Sequence, residues 1–180
     1  MKILVTGRPG IGKTTLVRRV IELCRKEGIK VGGMISYEVR ERGRRVGFKI
    51  LDIMNNKEGI LAWVGLPGTK RVGKYTVNLK DIKNIGVKAL EKAIEQADVI
   101  VIDEIGPMEL YSNEFKDAVE KAFKSNKVVL ATIHIKADRD PFGRRIKSFP
   151  DVVLYTVTLG NRDKLPFEIF NKIKEHLGKS

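Results

Sequence analysis

The sequence predicts an α/β fold in three layers, a mostly parallel sheet with helices on both faces, extended by antiparallel strands from an insertion at about residues 31–78. Three observations predict it. Short apolar runs alternate with amphipathic helical stripes from residue 81 onward. The first strand-like run passes through a glycine loop directly into a helical stripe. Between them, residues 30–78 carry β-like runs broken by Gly or Asn and no long helical pattern.

The elements follow in order. Lys2 to Thr6 (KILVT) is a short buried strand. A helix runs from Lys13 to about Glu27, with Leu16, Val17, Val20, Ile21 and Cys24 on one stripe and Gly28 ending it. Val31 to Val39, Val46 to Ile53, Ile60 to Val64 and Arg71 to Val77 read as strands, with Arg42-Gly43-Arg44 as a hairpin tip. This block is either a β-rich insertion or an antiparallel extension of the main sheet. A second helix begins at about Asp81 and carries Ile82, Ile85, Ala89, Leu90, Ala93, Ile94 and Ala97. Val99 to Asp103 (VIVID) is a buried strand. Ser112 or Asn113 caps a helix bearing Phe115, Ala118, Val119, Ala122 and Phe123. Val128 to Ile133 is a third buried strand, Asp140 to Ser148 a short basic helix, and Val152 to Val157 a fourth strand. Pro166 sits in the first turn of a last helix.

Length and composition fit one domain spanning 1–180. A chain of this size buries about 70% of its unfolded surface and needs no staple. The lone Cys24 excludes an intramolecular disulfide and reads as a small core residue. No run reaches the ~20 apolar residues of a membrane span. The first residues read as a strand and not as a signal peptide, so a cytoplasmic, monomeric protein without membrane contact is expected. The net charge of +13, from 35 Lys+Arg against 22 Asp+Glu, favours polyanionic partners such as nucleotides or nucleic acid. The same surplus of Lys, Arg and Glu, with one Cys and few Met, suits a heat-adapted chain.

Gly7-Arg8-Pro9-Gly10-Ile11-Gly12-Lys13-Thr14 matches G-x-x-x-x-G-K-[ST], the phosphate-binding P-loop (Walker A). The glycines let successive N–H groups turn inward on phosphate oxygens, and the positive end of the following helix adds to them. Lys13 supplies a mobile charge to the β- and γ-phosphates, and the Thr14 hydroxyl is a Mg²⁺ ligand. A companion motif lies in VIVIDEIG, residues 99–106. Asp103 emerges at the carboxyl end of its strand, where open α/β sheets bind ligands, and is the second Mg²⁺ partner, the Walker B carboxylate. Glu104, one residue on, is placed to take a proton from an attacking water. Lys13 and Glu104 are therefore the candidate catalytic pair.

Less specific signals lie elsewhere. Thr132, near the end of the neighbouring strand, is a candidate γ-phosphate sensor, with His134 second, although a threonine in a strand is ordinary. A transition-state arginine could come from Arg8, Arg139, Arg144, Arg145 or Arg162. No Asn-Lys-x-Asp motif is present, which argues against a regulatory GTPase. Arg162, in Asn161-Arg162-Asp163 after a late strand, is a candidate base contact.

With these motifs placed, the chain resembles the THEP1 family of small nucleoside-triphosphatases over essentially its whole length. The resemblance rests on residues 7–15 and on Val-Ile-Asp-Glu-Ile-Gly-Pro-Met-Glu-Leu at 101–110. Gly47-Phe48, residues 72–78 and residues 161–163 add weaker support. It implies a RecA-like P-loop core with added antiparallel strands. It also implies hydrolysis of several NTPs, including ATP and GTP, and nucleotide contact through residues 7–14 and 99–106, Gly106 included. Two alternatives stand beside it. A nucleotide or small-molecule kinase would use residues 31–78 to hold an acceptor. A nucleic-acid-binding module would use the nucleotide as a switch. The first is tested by transfer to an added acceptor, the second by stimulation of hydrolysis with RNA or DNA at physiological salt.

Overall fold

The computed structural model describes residues 1–179. Its strands β1 (Lys2–Thr6), β7 (Val99–Ile105) and β8 (Val128–Ile133) are almost wholly buried, as Val/Ile-rich strands covered on both faces must be. They pair in parallel, with β8 between β7 and β1, and β9 (Val152–Thr156) closes the far edge beside β1. The phosphate-loop strand β1 and the Asp103 strand β7 thus flank β8, which carries Thr132.

The other half of the sheet is antiparallel. β2 (Val31–Glu41) pairs with β3 (Arg44–Asp52), which pairs with β4 (Glu58–Val64), then β6 (Tyr75–Val77) and β5 (Arg71–Val72). All nine strands form one sheet in the order β5-β6-β4-β3-β2-β7-β8-β1-β9. Of the two readings of residues 31–78, the extension is the one found, and its boundary moves. Val31 to Met34 pair in parallel with Val99 to Ile102 and so belong to the central sheet. Only the rest of β2 turns into the antiparallel half. Gly33 marks the crossing: it has φ of 111°, and a Cβ there would sit 2.8 Å from Val101 N and collide with the Val101 carbonyl oxygen. Arg42 and Gly43, both at positive φ, form the expected hairpin tip.

Two expectations are corrected. Arg71 to Val77 is not one strand but a tight hairpin, because Gly73 at φ 58° reverses the chain between β5 and β6. The helix expected from Asp81 starts earlier, at α2 (Leu79–Asp81). Asn78 caps it by accepting from the Asp81 N–H at 3.2 Å. It then passes through π-helical turns over Ile82–Val87 before α3 (Lys88–Gln96). The wide turn lies where Gly86 has no Cβ and Ile50 Cδ1 from β3 fills the space, 2.7 Å from where that Cβ would be.

The remaining helices form the outer layers. α1 (Lys13–Lys26) and α6 (Leu165–His176) cover one face, burying Leu16, Val17, Val20, Cys24, Ile169 and Ile173. α3 and α4 (Asn113–Lys124) cover the other with Leu90, Phe115 and Val119. Ser112 caps α4 by accepting from the Phe115 N–H at 3.1 Å. α5 (Pro141–Lys147) is capped by Asp140 in the same way at 2.7 Å. Burial pushes the Cys24 thiol up to about 11. Among the described residues no helix is long and apolar enough to cross a membrane.

Candidate functional site

The loop between β1 and α1 takes its shape from backbone that only glycine adopts freely. Gly10 (φ 80°) and Gly12 (φ 111°) sit in the left-handed region, with open space where a Cβ would be. Gly12 is the residue before α1, so the loop delivers the unpaired N–H groups of the first helical turn to its own hollow. Lys13 Nζ donates to the Gly7 carbonyl at 2.9 Å and to that of Arg8 at 3.3 Å, which holds the ammonium across the loop mouth.

Asp103 stands at the end of β7, 2% exposed. One carboxylate oxygen accepts from the Thr14 hydroxyl at 2.9 Å, the other from the Thr132 hydroxyl at 2.6 Å. Burial pushes the carboxyl up to about 6 against the opposing pull of those two hydroxyls. It is still mostly ionised at neutral pH. The Thr132 hydroxyl is directed at Asp103, so it orients that carboxylate.

Glu104 follows through a cis peptide bond, and its carboxyl is raised by burial while Lys13 draws it down. Gly106 leaves room for it: a Cβ there would lie 2.6 Å from Glu104 Oε1 and 3.3 Å from Glu109 Oε1. Glu109 is buried at 3% exposure in the turn Glu109–Tyr111, and burial together with the Glu104 charge raises its carboxyl well above the usual range. His134 lies just after β8. Its Nδ1 accepts from the Lys136 N–H at 3.0 Å, so Nε2 holds the ring proton. Burial and the charges of Lys13 and Lys136 hold its pKa down.

Lys13, Thr14, Asp103, Glu104 and His134 all face one cavity of about 430 Å³. Mg²⁺ takes oxygen ligands, keeps several waters and uses one or two carboxylates. A hydroxyl and a largely ionised carboxylate oxygen 2.9 Å apart suit that demand. Among the described residues no cluster of three or more His, Cys, Asp or Glu side chains converges as a metal cage.

The arginines named from sequence do not meet in this cavity. Arg145 pairs with Glu120, and Arg144 donates to the Asp138 carbonyl at 2.7 Å. Arg139 lines a separate hollow. Arg162 reaches the back of the phosphate loop, with Nη1 3.4 Å from the Ile11 carbonyl. It stands beside a second hollow of about 430 Å³ lined by Gly7, Arg8, Ile11 and residues 156–160. The arginine that does line the phosphate cavity is Arg45 of β3. Sequence reasoning missed it, and Glu109 too. Arg45 lay in a basic run that reads as solvated surface. Glu109 carried a usable signal, a carboxylate inside the Asp-Glu-Ile-Gly-Pro-Met-Glu-Leu run.

Comparison with known proteins agrees over the whole length. A family model described as NTPase matches residues 2–170. A nucleoside-triphosphatase THEP1 from Thermofilum pendens is 53% identical over 170 residues, covering 94% of this chain and 93% of the relative. One from Thermotoga maritima is 48% identical over 178 residues, covering 99% and 98%. The crystal structure of THEP1 from the hyperthermophile Aquifex aeolicus superposes with a TM-score of 0.85 at 36% identity, covering 97% of this chain and 99% of that one. The solution structure of a human cancer-related nucleoside triphosphatase superposes with a TM-score of 0.83 at 33% identity, covering 97% of both chains.

Proposed function

Because the chain belongs to the THEP1 nucleoside-triphosphatase family and is an NTP hydrolase of that kind, we propose that it cleaves ATP, GTP and other NTPs to the diphosphate and phosphate in a Mg²⁺-dependent reaction, with Glu104 activating the water. The observation that carries this is the convergence of Lys13, Thr14, Asp103 and Glu104 on one cavity at the carboxyl edge of the sheet. The loop amides and Lys13 hold the β- and γ-phosphates. Thr14 and Asp103 would hold Mg²⁺, with Thr132 fixing the orientation of Asp103. When bound, the ion neutralises charge developing on the phosphate oxygens. Glu104, whose carboxyl burial raises while Lys13 draws it down, accepts a proton from water aimed at the γ-phosphate.

Broad base specificity fits the hollow on the far side of the loop. Gly7, Ile11, Val157, Leu159 and Gly160 offer it apolar surface and backbone groups, and Arg8, Thr156 and Thr158 are the lining side chains that could hydrogen-bond a base. Arg162 at its edge is the candidate base contact.

The test is phosphate release from each NTP with Mg²⁺, for the wild type and for Glu104→Ala. We expect kcat to fall by ~10²–10⁴ while nucleotide binding persists, the usual worth of a positioned general base. Equal turnover in the two proteins would remove Glu104 from the reaction.

A further inference from the structure

Cleavage of a triphosphate gathers charge on the outer oxygens of the γ-phosphate, and fixed donors aimed at those oxygens lower the barrier. Lys13 approaches the β- and γ-phosphates from the loop. Asp103 and Glu104 bring carboxyls, which donate nothing when ionised. Thr132 stands close by, but a hydroxyl has one proton to give, and Thr132 gives it to Asp103 at 2.6 Å. Arg45 lies on the antiparallel wall of the cavity, where its Nε donates to the Tyr75 hydroxyl at 2.9 Å and its Nη1 is 3.5 Å from Glu38 Oε2.

His134 is the donor that is left. It follows β8, the strand between the phosphate-loop strand β1 and the Asp103 strand β7. A residue just past the carboxyl end of β8 stands between Lys13 and Glu104. A γ-phosphate held by the first and attacked by water on the second lies there too. The His134 ring lines the cavity together with both residues. Lys13 is near enough for its charge, after burial, to help hold the ring's pKa down.

The other polar groups of His134 are already committed. Its backbone N–H donates to the Ile105 carbonyl at 3.1 Å, which ties it to the end of β7. Its carbonyl accepts from the Ala137 N–H at 2.9 Å. Its Nδ1 accepts from the Lys136 N–H at 3.0 Å, so the proton is on Nε2, and among the described residues no group accepts it. A donor anchored on both sides needs no reorganisation when charge develops in front of it. The neutral ring also suits its neighbour. A second full cation beside Lys13 would be repelled, and a proton on Nδ1 would break the bond from Lys136.

We propose that His134 is a catalytic residue that donates its Nε2–H to a γ-phosphate oxygen, so that it tells a triphosphate from a diphosphate and stabilises the charge that develops in cleavage. The inference rests on reading this cavity as the triphosphate's site. His134 transfers no proton. The water oxygen bonds to the γ-phosphorus, its proton passes to Glu104, and the bond to the β,γ-bridging oxygen breaks with the electron pair leaving on the diphosphate. ADP lacks the group that His134 holds.

The test compares binding of ADP with that of the β,γ-imido analogue of ATP, which is not cleaved, both with Mg²⁺. Phosphate release from ATP is measured alongside. In His134→Ala the analogue should bind ~10-fold or more weakly while ADP stays within ~2-fold of the wild type, because a hydrogen bond to a charged group is lost from one ligand only. The kcat should fall by ~10²-fold or more, the usual cost of one oxyanion donor. His134→Phe keeps the bulk of the ring without the donor; it should behave alike, and it decides the matter if His134→Ala lowers the melting transition. His134→Gln has an N–H at similar reach and should recover most of both losses. Equal weakening of ADP and analogue would make the role structural and overturn the proposal. Wild-type turnover in the Ala and Phe variants would overturn it too. So would lost turnover with an unchanged preference for the analogue, which would put the Nε2–H on Glu104 instead. The hydrolase reading fails separately, by an absence of phosphate release from the wild type, and the binding comparison does not depend on it.

Discussion

Asp103 answers two opposed demands. It must be ionised to hold a cation, yet it sits in the sheet with 2% exposure. Its folded-state pKa of about 6 lies above the ordinary 3.8. An acid raised on folding binds more protons in the folded than in the unfolded state between those values. Its contribution therefore destabilises the metal-free protein as pH rises through 6 and vanishes at low pH. We expect the metal-free chain to gain stability from this group between pH 7 and pH 4. Asp103→Asn should remove that gain and raise the melting temperature at pH 7, by roughly 2–4 °C for each kcal/mol recovered in a chain of this size. The same variant should lose ~10²-fold or more in phosphate release, the cost of one preorganised charge-stabilising contact. Calorimetry from pH 4 to 8, without nucleotide or metal, checks the first part, and a variant no more stable at pH 7 would refute it. Thr14 and Asp103 were legible as a pair from motif spacing alone. Arg45 was not, because its place in the cavity depends on Tyr75 and Glu38, 30 and 7 positions away and on other strands.

At the scale of elements, β2 is the informative strand. It begins as a member of the parallel sheet and ends as one arm of an antiparallel hairpin. Gly33 permits the close approach to β7 at that change. Gly33→Ala combines a disfavoured φ with a collision against the Val101 backbone, so it should destabilise by about 3 kcal/mol or more. Urea denaturation measures this, and a loss under about 1 kcal/mol would mean that β7 can shift aside. The sequence pattern found nearly every strand and helix because buried runs such as VIVID and VVLATI have few other conformations to adopt. It missed the π-helical turns at Ile82–Val87 and the reversal at Gly73. Both depend on what packs alongside, Ile50 against Gly86 in the first case and β4 against β6 in the second. It also read Lys2 only as part of an apolar run. The Lys2 ammonium is buried at the foot of β1, donating to the Ser125 carbonyl at 2.7 Å and to that of Lys127.

For the whole molecule, the consequence of a continuous sheet is cooperativity. The antiparallel half shares β2 with the parallel half, and one continuous helical segment packs on both, its π-helical turns on β3 and β4 and α3 on β2 and β7. We expect the two halves to unfold together. Trp63, the only tryptophan, lies in β4 within the antiparallel half. Its fluorescence and the far-ultraviolet circular dichroism should give coincident transitions, whereas an earlier fluorescence transition would show the extension melting on its own. The +13 charge gave little guidance to function, because basic side chains near the site, such as Arg45, are neutralised locally while the others are scattered. Cys24 has a different use. It is fully buried in α1, about three turns beyond the phosphate loop, and its thiol is a poor nucleophile at neutral pH. A thiol-specific dye can modify it only while α1 lifts from the sheet, so the labelling rate is a clock for that opening. A ligand clasped by the loop should slow the clock, which would allow nucleotide affinity to be read without any turnover.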